Sequence, residues 1–364
     1  MRVLVVNAGS SSVKLSLIGP GDETLAEREL ETPRAEVDAD ELSGVLSGEF
    51  AQADAVGHRI VHGGERFSGP VQIDSEVEAA LRELVDLAPL HQPKSLAALG
   101  AVSTVLGDRP AVACFDTAFH RTMPTAAYTY ALPARWRETW RLRRYGFHGL
   151  SHAWVARRAA QLLGAAPEDV ALVSCHLGAG ASLCAIADGR SIDTTMGFTP
   201  LEGLVMATRS GSVDPGLLLW LLEHESMSAR ELEHALEHES GLLGLAGSAD
   251  MRVILARAGA GDHLAGAALD VYLHRLRAGI GAMAASLGRL DAIAFTGGIG
   301  EHAPVIRARA VAGLAFLGAA IDAERNDAAD LDGDLTALGA RVRTLVIRAR
   351  EDLEIAHQVR RTLA

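Results

Sequence analysis

The segment VLVVNAGSSSVKLSL, residues 3–17, decides how the rest of the chain is read. Val3 to Val6 are continuously apolar and rich in β-branched residues, the pattern of a buried strand. Asn7-Ala8-Gly9-Ser10-Ser11-Ser12 then supplies small residues, hydroxyls and backbone N–H groups, the chemistry of a turn that cradles an anion. Beyond the turn, Val13, Leu15 and Leu17 alternate with Lys14 and Ser16. A period of two predicts a second strand, so the loop joins strand to strand. That excludes a Walker A loop and a dinucleotide fingerprint, both of which open a helix. Lys14 is one of two lysines in the chain, the other being Lys94. An ammonium kept where arginine prevails elsewhere points to a phosphate beside this loop.

Residues 170–187 repeat the pattern. Val170 to Cys175 form an apolar run, His176-Leu177-Gly178-Ala179-Gly180-Ala181-Ser182 a second small-residue loop, and Leu183 to Ala187 a strand ending at the hairpin signal Asp188-Gly189. Aligning Gly9 with Gly178 superimposes strand, loop and strand. The recurrence predicts a duplicated α/β domain with two phosphate-facing hairpins across a cleft.

A length of 364 residues suits two domains, each with its own core. The net charge of -12 argues against a nucleic-acid surface, so an anionic ligand must be held by local groups. Cys114, Cys175 and Cys184 lie in apolar runs without C-x-x-C spacing, which predicts buried reduced thiols rather than a disulfide framework. The N-terminal stretch lacks the pattern of a secretory signal, and no run is long and apolar enough to span a membrane. The expectation is a soluble, cytoplasmic protein with no membrane or nucleic-acid partner.

Along the chain, residues 20–55 read as acidic and turn-rich. Helices are expected at about 75–88, with Val77, Leu81, Leu84 and Leu87 on one face, at 151–163, within 216–240, at 264–287 and from 351 onward. Strands are expected at 111–115, 292–295 and 342–347. Strands alternating with helices predict a two-domain α/β protein.

Polar residues recur just beyond apolar strands: Asn7, Arg59, Asp116, His176 and Gly297-Gly298. The carboxyl ends of strands are where open α/β sheets gather their ligands. His58 with His62, and His148 with His152, have the i,i+4 spacing of helical zinc ligands, but neither pair carries the H-E-x-x-H glutamate and glycines interrupt both. Metal ligation by histidine is not expected. His224, His234 and His238 lie among glutamates on a solvated face. Arg59 and Arg209, each in a glycine-rich setting, are candidates for charge stabilisation.

Read together, Asn7-x-Gly-Ser-Ser-Ser-x-Lys14, HRIVHGG, APLHQP, FDTAFHRTMP, RRYGFHGLSH, SIDTTMGFTPLEGLVMATRSG and FTGGIGEH resemble the signature segments of the acetate kinases, the acetokinase branch of the actin/sugar-kinase/Hsp70 superfamily. They occur in family order over nearly the whole chain. The resemblance implies a duplicated actin-like (ribonuclease H-like) fold, with an N-terminal domain of residues 1–120 plus 352–364 and a C-terminal nucleotide-binding domain of 121–351. It implies phosphoryl exchange between ATP/ADP and acetate or another short-chain carboxylate, Mg²⁺ (Mn²⁺ as a substitute), and a homodimer.

Position by position, Asn7 and Glu351 resemble the magnesium-associated residues. Ser10, Ser12 and Lys14 match the N-terminal phosphate loop. Arg59 matches the carboxylate-binding arginine, Asp116 the active-site acid, and His148 and Arg209 the transition-state stabilisers. Val61, Leu90, Phe147 and Pro200 match the pocket for the acyl group. His176, Leu177, Gly178, Ala179 and Gly180 resemble nucleotide-contacting residues, as do Asp250, Met251 and Arg252, and Gly298, Ile299, Gly300, Glu301 and His302. Ala179 replaces the family's usual asparagine, and Gln92 stands where APLH is usually followed by asparagine. Neighbouring expectations are propionate or butyrate kinase, and a nucleotide-dependent switch on the same fold. HRIVHGG and RYGFHG argue against the switch, which needs no carboxylate pocket.

Overall fold

The computed structural model describes residues 1–9, 12–31, 39–85, 92–328 and 331–364. Two compact units divide the chain: Met1–Arg121 with Phe147–Trp154 and Arg350–Ala364, and Thr122–Gly146 with Val155–Ala349. Each is built on one six-stranded mixed sheet.

In the first unit, β1 (Val3–Ala8), β2 (Ser12–Ile18) and β3 (Thr24–Glu31) form an antiparallel meander. β4 (Ala55–Ile60) and β6 (Ala111–Phe115) then run parallel to β1, and β5 (Val71–Gln72) closes the edge, giving the order β3-β2-β1-β4-β6-β5. Alternation sends Leu4, Val6 and Val56 to one face, where they pack with Ala98, Val102 and Leu106 of the helix Gln92–Leu106. Val3, Val5 and Cys114 point to the other face, against Leu353, Ile355, Ala356 and Val359 of the helix Glu351–Leu363. β1 and β6 are buried on both sides, which is why they read as continuous apolar runs, whereas β4, AVGHRI, carries His58 and Arg59 and does not.

The second unit repeats this topology. β7 (Leu172–Leu177), β8 (Ala181–Ala187) and β9 (Arg190–Thr194) form the meander. β10 (Ala292–Thr296) and β12 (Arg343–Val346) lie parallel to β7, with β11 (Gly333–Asp334) at the edge. The order β9-β8-β7-β10-β12-β11 is strand for strand that of the first unit. The duplication read from the two glycine loops is present in the pairing of every strand.

Several elements differ from expectation. β3 was not expected, because its TLAERELE is charged on an edge strand with Leu30 its buried residue. The helix expected at 75–88 spans Ser75–Glu83, and 86–88 lie outside the described residues. The helix expected at 151 begins at Gly149. Residues 215–246 form Pro215–His224, Ala229–His234, a π-helical turn Ala235–Glu239 and Gly241–Ala246. Among the described residues no helix is long and apolar enough to cross a membrane. Cys114, Cys175 and Cys184 are buried and take part in no disulfide among the described residues, as read from their apolar contexts.

Candidate active site

In the first unit, β1, β4 and β6 end side by side and deliver Asn7, Arg59 and Asp116 to one place. Asp116 follows β6 and is 1% exposed; it accepts hydrogen bonds from Arg59 Nε at 3.2 Å (Oδ1) and 3.1 Å (Oδ2), and from Arg59 Nη2. Arg59 Nη1 donates to Asn7 Oδ1 at 3.1 Å, and Asn7 Nδ2 donates to Glu351 Oε2 at 3.2 Å. Glu351 opens the helix Glu351–Leu363, and its carboxylate lies 3.8 Å from Arg59 Nε. Burial alone would lower the Arg59 pKa, but Asp116 first and Glu351 second outweigh it and hold the guanidinium above its ordinary value. A guanidinium has five N–H donors. These bonds leave one N–H on each Nη, enough for an incoming anion.

His148 joins this group through the backbone. It has a positive φ of 56°, a conformation that costs a non-glycine residue energy and is often kept for function. Gly149, which follows it, donates its N–H to Asp116 O at 2.9 Å. A Cβ on Gly149 would stand 2.1 Å from that oxygen, so the approach requires glycine. Phe147 is buried with its carbonyl 2.9 Å from His120 Nε2, and its ring meets His62 edge-on at 5.7 Å. Val61, also buried, precedes His62. Gln92 Oε1 accepts from His62 N, and Gln92 Nε2 donates to His62 O, both at 3.3 Å, so the atypical residue clamps the backbone next to Val61.

Ser12 and Lys14, expected to face phosphate, both engage Glu29. Ser12 Oγ donates to Glu29 Oε1 at 2.7 Å, and Lys14 Nζ lies 3.5 Å from Oε2, in the register that pairs Lys14 with Glu29 across β2 and β3. Ser10 and Leu90 lie outside the described residues.

The second unit gathers Arg209, Pro200 and a residue missed by sequence reasoning. Arg209 Nη1 donates to Pro200 O at 3.0 Å, and Nε lies 3.1 Å from the carboxylate of Glu237, which is buried in the π-helical turn. Burial lowers the Arg209 pKa, and Glu237 opposes this. Glu237 looked like one glutamate of a solvated run; a π-turn that rotates it inward leaves no mark in residue spacing.

His176 to Gly180 form the turn between β7 and β8, where Ala179 O accepts from Ala207 N at 3.1 Å. Asp250 caps the helix Met251–Gly259 and pairs with Arg252 Nη2 at 2.6 Å. Gly298, Ile299, Gly300, Glu301 and His302 lie in the short helix Gly297–His302 directly after β10. Glu301 Oε1 accepts from Gly297 N at 3.0 Å and Ala349 N at 2.9 Å. The buried Arg307, also missed, donates from Nη1 to the carbonyls of Gly300 at 2.9 Å and Glu301 at 2.7 Å. Gly297 has φ 77°, and a Cβ there would meet Leu177 O at 2.9 Å.

Comparison with known proteins gives the same direction. The model of the acetokinase family matches residues 40–357. The chain belongs to the acetokinase family. That is a family of carboxyl-group phosphotransferases. The chain is 42% identical to the acetate kinase of Acetivibrio thermocellus, over 99% of each chain. It is 46% identical to the acetate kinase of Streptomyces coelicolor, over 98% of this chain and 96% of that one. Among solved structures, the Porphyromonas gingivalis acetate kinase superposes with a TM-score of 0.92 at 35% identity, over 100% of both chains. A propionate kinase from Francisella tularensis reaches 0.91 at 34% identity, over 98% of both.

Proposed function

We propose that this acetokinase transfers the γ-phosphoryl group of ATP reversibly to acetate, giving acetyl phosphate and ADP by direct in-line attack. The observation that carries the reading is Arg59, half-buried between Asp116, Asn7 and Glu351 with two N–H donors left for a carboxylate. A carboxylic acid of pKa about 4–5 is ionised at neutral pH, so no strong general base is needed. The barrier lies in bringing two anions together, and fixed positive groups lower it by charge stabilisation and positioning.

In this reading Arg59 holds the acceptor carboxylate, with Val61, Leu90, Phe147 and Pro200 around its apolar end. Arg209 and His148 donate to the oxygens of the group in transfer, and Glu237 keeps Arg209 oriented. Asp116 orients Arg59 and any metal-bound water instead of abstracting a proton. Ser10, Ser12, Lys14 and the segments 176–180, 250–252 and 298–302 serve the nucleotide.

Asn7, Glu351 and Asp116 supply only oxygen donors toward a cation, the hard ligand set that suits Mg²⁺. Among the described residues no cluster of three or more His, Cys, Asp or Glu could hold a metal ion. Mg²⁺ would supply neutralisation of phosphate charge there.

Domains of residues 1–120 plus 352–364 and 121–351, cytoplasmic residence and a homodimer belong to the same reading. For the dimer, Leu217, Leu219 and Trp220 on the helix Pro215–His224 expose an apolar face that a second copy would cover. Propionate is a second acceptor to consider, because the Francisella tularensis propionate kinase is so similar in structure. One extra methylene is worth only about 1–3 kcal/mol of discrimination. Acyl phosphate formation from ATP and Mg²⁺ with acetate, propionate and butyrate is the deciding assay. The highest kcat/KM is expected with acetate; no acyl phosphate with any acid would overturn the reading.

A further inference from the structure

Asp116 is followed by a short 3₁₀ helix, Ala118–Thr122, that carries His120. His120 is fully buried, and its Nε2 lies 2.9 Å from Phe147 O. A carbonyl oxygen only accepts, so Nε2 carries a proton and donates it to this bond. Asp116 O accepts from Gly149 N at 2.9 Å. The peptide groups on either side of His148 are therefore fixed by the same stretch of chain, residues 116–120.

His148 itself has φ 56°. Left-handed backbone is unfavourable for a residue with a Cβ, and it persists only where the surroundings over-determine it. Three bonds do so here. His120 holds the carbonyl before His148, Asp116 O holds the amide after it, and His148 O accepts from His152 N at 2.9 Å at the start of the helix Gly149–Leu163. The last two join backbone to backbone, and other side chains at 116 and 152 would permit them. The first needs the side chain of His120. Its ring is packed between those of Phe119 and His152, each edge-on at 5.8 Å, which fixes the direction in which Nε2 donates.

We propose that His120 is a positioning residue for phosphoryl transfer: by donating to Phe147 O it holds His148 in the left-handed conformation in which that residue serves the group in transfer. Asp116, on the same stretch, orients Arg59, so one turn of chain sets the acceptor arginine and the His148 backbone together. The inference rests on the phosphotransfer reading and extends it to a residue that acts through His148.

The test is a double-mutant cycle on the full chain, read as kcat for acyl phosphate formation from ATP, Mg²⁺ and acetate. His120→Leu alone is expected to lower kcat by about tenfold or more, because misplacing a catalytic group by about 1 Å can cost about 10²-fold. In a His148→Ala background the residue being positioned is gone, and adding His120→Leu is expected to change kcat by no more than about twofold. His120→Gln, whose Nε2 can stand where the ring Nε2 stands, is expected to keep most of the wild-type kcat. Should His120→Leu not fold, His120→Asn, whose amide ends one bond short, takes its place in the cycle with the same expectations. Near-normal kcat in the single variant, or equal losses in both backgrounds as a merely structural role would give, overturns the proposal while the phosphotransfer reading stands. A wild type that makes no acyl phosphate from any acid overturns that reading and this inference with it.

Discussion

Asp116→Asn separates charge from shape at the centre of the site. The side chain keeps its size and one oxygen acceptor, but the two Arg59 nitrogens that now share a carboxylate face a neutral amide. A hydrogen bond to a charged group is worth about 1.5–3 kcal/mol. Deleting one partner of a buried ion pair costs about 3–5 kcal/mol. Asparagine retains an acceptor, so a stability loss near the lower of these ranges, about 2–3 kcal/mol, is expected in urea unfolding. Activity suffers more, because beside the one neutral acceptor left at position 116 Arg59 would be oriented by Asn7 at 3.1 Å and Glu351 at 3.8 Å. If that displacement is equivalent to losing one preorganised donor, kcat/KM falls by about 10²–10³. The KM for the carboxylate and the Mg²⁺ concentration for half-maximal rate should both rise. Hydroxamate detection of acyl phosphate under acetate and Mg²⁺ titrations reads all three. Full turnover with unchanged Mg²⁺ dependence would refute the role given to Asp116.

Arg209→Ala should lose about 2.7–4 kcal/mol of transition-state stabilisation, seen as lower kcat with little change in acetate KM; near-normal kcat sinks the assignment. Glu237→Gln should lower kcat in the same direction by a smaller factor, while an unaltered kcat would make Glu237 merely structural. Lys14→Arg should raise the ATP KM without changing the melting temperature, because its exposed pairing with Glu29 is worth only about 0–1 kcal/mol; an unchanged ATP KM would remove Lys14 from the phosphate loop. Burial also depresses the pKa of His58 and His62 to about 4. As pH falls from about 6.5 the unfolded chain takes up protons that the folded chain refuses, so their contribution, complete above that value, is lost down to about 4 at up to about 1.4 kcal/mol per pH unit each. His58→Leu should remove one such share of the slope in urea unfolding at pH 7 to 5 or so; an unaltered slope contradicts a neutral buried His58.

The duplicated fold was legible because double-sided burial writes β1, β6 and β7 as apolar runs, and small residues mark the turns; β4, with His58 and Arg59 in its middle, was not read as a strand. The candidate site was legible as separate motifs at strand ends, and their convergence at Arg59 in the first unit agrees with that reading. Pairing was not legible. Asn7 and Glu351 are 344 positions apart, and no periodicity links them. β3 escaped notice because an edge strand buries little. Lys14 stood out by rarity, yet its antiparallel register gives it Glu29 as a partner. Glu237 and Arg307 act through burial, a property of the packed chain that composition does not express.

The helix Glu351–Leu363 completes the first unit but follows the second in the chain. More than two hundred residues separate Arg121 from Arg350. At about 5–20 residues per second, a ribosome needs on the order of ten seconds or more to cross that gap. Throughout it, Val3, Val5, Val112 and Cys114 await the side chains that cover them. Closing that core also delivers Glu351 to Asn7 and Arg59. A nascent chain therefore exposes that apolar face until the helix Glu351–Leu363 emerges, and a chain cut before it has neither a closed core nor the full set of charges around Arg59.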